Sequence, residues 1–362
     1  MKVGSIYFGR KLILAPMADI TDSSFRKIAK EFGAGLTFTQ MVSAKGVTRN
    51  QFDTLKLLSF HRSEKPVGVQ ILGKNPDHIR NAVNEIKSFN PDIFDLNCGC
   101  SVEKITKHGF GSVILEDPVL LGNLVKTMVE AADDIPVSIK IRLGKNHSKI
   151  NVIDNAKIIE DNGASVVTVH GRTRSDKYDV EADWEWIAKV KEAVTIPVVG
   201  NGSCFTPQDV QKLIETTNCD TVMVARGALG NPFIFSRFNA IIENGNDPGE
   251  PEPALVRDTA LKHLKYLIEN FGEDVGLGKA KKHTIWYFMN FKGITSFVDE
   301  VLASREVDQF KELISNHTSK IEDEFYPEED FEIINKNFKI KALFWLNDKL
   351  KNEFNETGNV LI

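Results

Sequence analysis

Val137, Ser138, Ile139, Lys140, Ile141, Arg142 and Leu143 follow one another without a break. Successive side chains of a strand point to opposite faces. Ser138, Lys140 and Arg142 therefore share one face, and Ile139, Ile141 and Leu143 the other. An apolar face seeks a helical layer, which turns the two cations toward the inside of a sheet. Seven more short β-rich runs recur at a steady pitch, at 12–17, 35–40, 67–72, 93–97, 165–171, 197–202 and 221–227. Amphipathic helices separate most of them. Asn75-Pro76, Asp117-Pro118 and Thr206-Pro207 each place an N-cap residue before a proline at the first helical position. Proline fits there because its missing N–H would have no helical partner. Ile79, Ala82, Val83 and Ile86 then fall on one helical face, as do Val210, Leu213 and Ile214. Asp183 caps a further helix, and one from Asp154 ends near Asn162-Gly163. Eight strand–helix units in about 240 residues match an α/β protein of the (β/α)8 TIM-barrel class. An open doubly wound sheet is the alternative, but the first strand lacks the GxGxxG turn of a dinucleotide site.

The same alternation turns Gly68 and Gln70, then Asp95 and Asn97, then Thr168 and His170 inward. Barrel interiors are usually filled by Val, Ile and Leu. Gln70, Asn97, Lys140, Arg142 and His170 at the C-terminal strand ends suit a polar ligand instead. One such residue alone reads equally well as a satisfied core group. Gly200-Asn201-Gly202-Ser203 after the seventh strand and Ala225-Arg226-Gly227-Ala228 after the eighth stand where such barrels hold phosphate. Asn97-Cys98-Gly99-Cys100-Ser101 follows the fourth strand. No second cysteine pair completes a tetrahedral set, so metal is not expected. Cys100, on a rim loop beside Lys104, Lys107 and His108, is placed to exchange a proton; a buried inert thiol is the plainer alternative.

In this order, these motifs resemble the tRNA-dihydrouridine synthases, over residues 12 to about 295. The resemblance rests on Ala15-Pro16-Met17-Ala18-Asp19, Val67-Gly68-Val69-Gln70, Asp95-Leu96-Asn97-Cys98-Gly99-Cys100, Lys140-Ile141-Arg142, His170-Gly171-Arg172-Thr173-Arg174, Gly200-Asn201-Gly202 and Arg226-Gly227-Ala228-Leu229-Gly230-Asn231-Pro232. It implies FMN in the barrel mouth, NADPH as reductant and a uridine of tRNA as substrate. By the same resemblance, Pro16, Met17 and Ala18 lie against the flavin through their backbone. Gln70 and Lys140 hydrogen-bond its ring, and His170 sits nearby. Asn201, Gly202, Ser203, Ala225 and Arg226 hold its phosphate. Asn97 binds the uracil, Cys100 is the general acid, and Arg142 and Arg172 belong to the substrate side. The chain departs from the family pattern at Cys98, Ser101, Gln40, Ser203 and Ala225. Cys98 is a second thiol, which alternation turns away from Asn97.

Beyond residue 240 the strand pitch stops. A Pro- and Gly-rich linker at 247–253 separates a barrel domain over 1–240 from a smaller all-helical domain over 254–362, with helices expected at 254–271 and 279–291. The family resemblance makes that region tRNA-binding, with Lys279, Lys281 and Lys282 on phosphate; a solvated helix face is the other reading. Net charge −5 over 362 residues speaks against a nucleic-acid binder. Its distribution does not. Residues 299–332 hold twelve acidic and three basic residues, a net of −9, which leaves +4 for the rest. That segment makes an acidic extension unsuited to a phosphate backbone. Four unpaired cysteines, no signal peptide and no apolar run of membrane length fit a cytoplasmic protein, expected as a monomer. An FMN-dependent dehydrogenase of a free pyrimidine or dihydroorotate is the alternative, and would not need the helical tail. A non-catalytic tRNA-binding protein would not need Cys100 or Lys140.

Overall fold

The computed structural model describes residues 2–3, 6–7, 9, 11–291 and 294–321. Residues 322–362, with the end of the acid-rich stretch and the amphipathic run at 340–350, lie outside the described residues. Eight parallel strands close into a barrel: β1 (Ile13–Leu14), β2 (Leu36–Phe38), β3 (Val67–Leu72), β4 (Ile93–Cys98), β5 (Val137–Arg142), β6 (Val166–His170), β7 (Val198–Asn201) and β8 (Thr221–Val224). Each pairs with the next, and Met223 of β8 pairs with Ile13 of β1 to close the ring. The expected eight-unit barrel is present.

A helix follows each strand: α1 (Ser23–Glu31), α2 (Ala44–Thr48), α3 (Pro76–Ile86), α4 (Pro118–Ala132), α5 (Val152–Asp161), α6 (Trp184–Ala193), α7 (Pro207–Thr217) and α8 (Phe233–Asn244). Asn75, Asp117 and Thr206 cap α3, α4 and α7 through their side chains, each with proline next. The outward residues Val69, Ile71, Phe94, Leu96, Ile139 and Ile141 are fully buried. Burying a side chain of that size stabilises by about 1.5–3 kcal/mol each. The lower interior is apolar. Ile13, Leu36, Phe38, Ile93, Val166, Val199 and Met223 form one cluster that floors the barrel. Gly68 belongs to this floor, because a Cβ there would overlap the Phe38 ring and Ile93.

A buried ion pair ties the start of the barrel together. Arg26 Nε lies 2.7 Å from Glu64 Oε2, and both side chains are essentially inaccessible. Arg26 also donates to the carbonyls of Thr21 and Ser59, while Glu64 accepts from Ser23 Oγ and the backbone N–H of His61. Neither charge retains an unmatched side, as a buried pair requires. The loop after β1 is fastened by these bonds.

The described chain divides into two units: Met1–Ala228 with Pro232–Gly249, and Leu229–Asn231 with Glu250–Ile362. The second holds α9 (Pro253–Phe271), α10 (Glu273–Phe288), α11 (Ile294–Ala303) and α12 (Val307–Ile321). Helix α10 begins six residues before the expected 279. Gly276 and Gly278 weaken the helical reading of that turn, yet Gly276 lets α10 approach Ile268 of α9 so closely that a Cβ would meet its backbone. Lys281 corrects a second expectation. It is buried, and its ammonium donates to the carbonyls of Leu302 and Ser304 at the end of α11. It is therefore turned away from any phosphate, whereas Lys279 and Lys282 are partly exposed and lie over the rings of Phe271 and Trp286.

The helical core also encloses histidines. His263 and His283 have ring centroids 4.4 Å apart, Tyr287 Oη lies 3.3 Å from His263 Nδ1, and His317 stacks on Phe297 at 3.9 Å. Burial lowers all three, His263 to about 3, His317 to about 4 and His283 well below its ordinary value.

Two outcomes follow from this packing. Glu64→Ala leaves Arg26 charged and buried, and should lower the unfolding free energy by about 3–5 kcal/mol, read as an earlier urea midpoint. Below pH 6.5 the unfolded chain binds protons at these histidines that the folded chain refuses, so stability falls with pH. From pH 7 to 5.5 the fully buried His263 and His283 should each remove about 1 kcal/mol. The thermal midpoint should fall over that range, and fall less in His283→Leu.

Candidate active site

Above the apolar floor the barrel interior becomes polar, in layers set by the strand register. Asp95 lies level with Gln70 and Ser138, Asn97 with Lys140, and Arg142 with His170 and then Asn201. Near the C-terminal end of these parallel strands, Gln70, Asn97, Lys140, Arg142, His170 and Asn201 give the interior its polar character. Unpaired polar groups in such a place are costly, and the bonds they form are specific.

Asp95 is 1% exposed and accepts from both sides, from Ser138 Oγ at 2.6 Å and Gln70 Nε2 at 2.7 Å. Gln70 Oε1 accepts from Asn97 Nδ2 at 2.8 Å. Asn97 Oδ1 accepts from the backbone N–H groups of Gly99 and Cys100, at 3.2 and 2.9 Å. On the far wall Lys140 Nζ donates to Asn201 Oδ1 at 3.0 Å, and Asn201 Nδ2 donates to Met223 O. His170 Nδ1 lies 3.1 Å from Asn201 O.

The thiols separate by position. Cys98 is fully buried on the outward face of β4, and burial drives its pKa far up. Cys100 stands half-buried on the rim loop. Three ties hold that loop. Asn97 takes its N–H, Ser112 donates to the Cys100 carbonyl from both N and Oγ, and Arg142 Nε donates to Gly99 O at 2.8 Å. Gly111, at φ +66°, allows this, since a Cβ would press on the Cys100 carbonyl. Burial raises the Cys100 pKa, against the pull of Arg142 and Lys140, so the group is a protonated thiol near neutral pH. Lys140 is lowered to about 8 by burial and Arg142. Asp95 is raised to about 6 by burial, against hydrogen bonds from Ser138 and Gln70.

Beside β7 and β8 the side chains are cationic. Arg226 lies over the rings of Tyr178 and Phe205, at 4.6 and 5.1 Å, and is lowered to about 10 by burial and by Arg172. Arg172 is 2% exposed, with Nε on Val180 O and Nη2 on Ser203 Oγ. Its Nη1 is buried without a partner among the described residues. Gly202 has φ +126° and packs on His170 and Ala182, while Ser203 follows at φ +55°. Glycine geometry and an unmatched guanidinium N–H fit the phosphate of a mononucleotide. The loop at Pro16, Met17 and Ala18 opens onto the same mouth and is pinned by bonds between Met17 and Thr21.

The structure thus gathers Gln70, Asn97, Cys100, Lys140, Arg142, His170, Asn201, Gly202, Ser203, Ala225 and Arg226 at one barrel end. Arg172, expected at the substrate, stands against Ser203 on the cationic side. Arg142 spends its bonds on the Gly99 and Thr173 carbonyls. Lys279 and Lys282 lie in the helical unit. Ser138 and Tyr178 were not anticipated as partners; alternation placed Ser138 inward but could not pair it. Among the described residues no group of three or more His, Cys, Asp or Glu could hold a metal, and no helix is long and apolar enough to cross a membrane.

A sequence model described as dihydrouridine synthase matches residues 13–322. A probable tRNA-dihydrouridine synthase 1 of Synechocystis is 34% identical over 321 residues, spanning 88% of this chain and 89% of its own. tRNA-dihydrouridine synthase B of Pseudomonas aeruginosa is 35% identical over 298 residues, spanning 82% and 89%. Among solved structures, histamine dehydrogenase from Rhizobium aligns with TM-score 0.52 at 13% identity, over 72% of this chain and 50% of that one. A 6-hydroxypseudooxynicotine amine oxidase from Pseudomonas geniculata aligns with TM-score 0.54 at 14% identity, over 72% and 52%. These two likenesses concern the fold.

Proposed function

The chain belongs to the dihydrouridine synthase family, and we propose that it reduces the C5=C6 bond of a uridine in tRNA, with Cys100 as the general acid. FMN bound in the mouth supplies hydride to C6, with NADPH as the reductant. The observation that carries the assignment is a half-buried, protonated thiol pinned at the rim beside Asn97 and across from Lys140.

Uracil C5=C6 is conjugated with the C4 carbonyl, so negative charge gathers at C5 and O4 as C6 is reduced. A proton must then reach C5. A thiol that burial holds above its ordinary pKa keeps that proton at neutral pH until the carbanion calls for it. Asn97 would hold the uracil edge while its Oδ1 keeps the Cys100 backbone in register. Lys140, with Gln70, would bind the polar edge of the flavin, and its ammonium would favour negative charge there. Asn201, Gly202, Ser203 and Arg226 would hold the phosphate, and Arg172 Nη1 offers a further donor on that side. Pro16, Met17, Ala18 and Ala225 would line the ring and its tail. The target base leaves its stack to reach this depth. Lys279 and Lys282, on the helical unit, would meet the tRNA backbone. The enzyme is read as a cytoplasmic monomer, since its substrate is there.

Purified protein should be yellow, and Cys100→Ala should keep the flavin spectrum while losing about 10²–10⁴ in tRNA reduction, measured as dihydrouridine formed per turnover. Unchanged turnover would remove the acid from Cys100. Lys279→Glu with Lys282→Glu should raise the Kd for tRNA and flatten its salt dependence while NADPH oxidation by the bound flavin is unaffected. An equal Kd at matched salt would exclude that face.

A further inference from the structure

The polar interior is directional. An ionised carboxylate only accepts hydrogen bonds. Both oxygens of Asp95 do so, from Ser138 Oγ and from Gln70 Nε2. Gln70 is therefore compelled to present its NH₂ to Asp95 and its Oε1 to the rim. That oxygen can only be met by a donor, and Asn97 Nδ2 supplies it. With its NH₂ committed, Asn97 turns Oδ1 upward onto the N–H groups of Gly99 and Cys100. If either carboxamide rotated by half a turn, two acceptors would face each other at hydrogen-bond distance in a buried site, and a turned Asn97 would also leave the Cys100 N–H without its partner.

We infer that Asp95 is a positioning residue: its carboxylate sets the direction of a hydrogen-bond relay through Gln70 and Asn97 that ends on the backbone N–H of Cys100. Two strand residues and one loop are thereby set by a group three hydrogen bonds removed from the Cys100 backbone N–H. The relay also keeps Asn97 from presenting its oxygen to Gln70, so the edge it offers a bound base is decided below the mouth. Its catalytic meaning rests on the proposed role of Cys100. Its existence does not.

The test separates the two. Asp95→Asn removes the charge but can still offer Oδ1 to Gln70, with its NH₂ on Ser138 Oγ. Asp95→Leu keeps the size and removes the acceptor. Carbamidomethylation of Cys100 by iodoacetamide, followed by peptide mass mapping in the full-length protein, reads the loop without turnover. Asp95→Leu should speed this reaction about threefold or more, Asp95→Asn should stay near wild type, and Asn97→Leu should mask any effect of Asp95→Leu in the double variant. If Asp95→Leu does not fold, Gln70→Met breaks the same relay at its middle and should speed alkylation equally. In the loaded enzyme, Asp95→Leu should lower kcat for tRNA about tenfold and leave KM within about twofold. The inference is overturned if Asp95→Leu (or Gln70→Met in its place) leaves alkylation unchanged, if Asp95→Asn matches Asp95→Leu, or if the Asp95 and Asn97 effects add. Retained turnover in Cys100→Ala would instead strike the proposed function, and the alkylation results would be untouched.

Discussion

A charge inside a barrel has to be answered by its neighbours, and the carboxylate of Asp95 is the deepest charge beneath this mouth. Water cannot reach it, so Ser138 and Gln70 must donate. Gln70 then constrains Asn97, and Asn97 constrains the cysteine loop. Across the barrel Lys140 is answered by Asn201, which is held in turn by Met223 O. On both walls a buried charge orders a carboxamide, and on the Asp95 side the carboxamides go on to order a loop. Lys140 and Asp95 are each moved toward neutrality by burial, to about 8 and about 6. Their environment holds both charges only weakly, which is the condition of groups meant to respond to a ligand.

Much of this was legible from the chain alone. Eight strands fall where the apolar runs stand, because a parallel barrel buries one strand face against helices and polar residues had nowhere to go but inward. Asn75, Asp117 and Thr206, each before proline, mark helix starts that need no tertiary information. The inward set Gln70, Asp95, Asn97, Lys140 and His170 followed from alternation. Which of these side chains bond to which did not, since alternation assigns a face and says nothing of reach across strands.

Other features depend on contacts far along the chain. Lys281 reads as one of three equivalent lysines, yet its neighbours are carbonyls 21 and 23 residues away. Gly276 lowers the helical propensity of α10, and the reason it is tolerated is the backbone of α9. The family resemblance sets Arg172 on the substrate side, but the loop at Val180 and Ser203 folds around it. In each case a local rule was right about the residue and silent about its partner.

The apolar floor has a kinetic consequence. Ile13, Leu36, Phe38, Ile93, Val166, Val199 and Met223 seal the lower end, so the barrel has a single door. On the proposed function, the nicotinamide and the uracil must each come close to one flavin through that opening. A cavity with no back exit obliges them to take turns: the first must deliver its electrons and depart before the second can enter. A flavin held at that mouth would serve two visitors that never meet, in an order set by the plug at the bottom of the barrel.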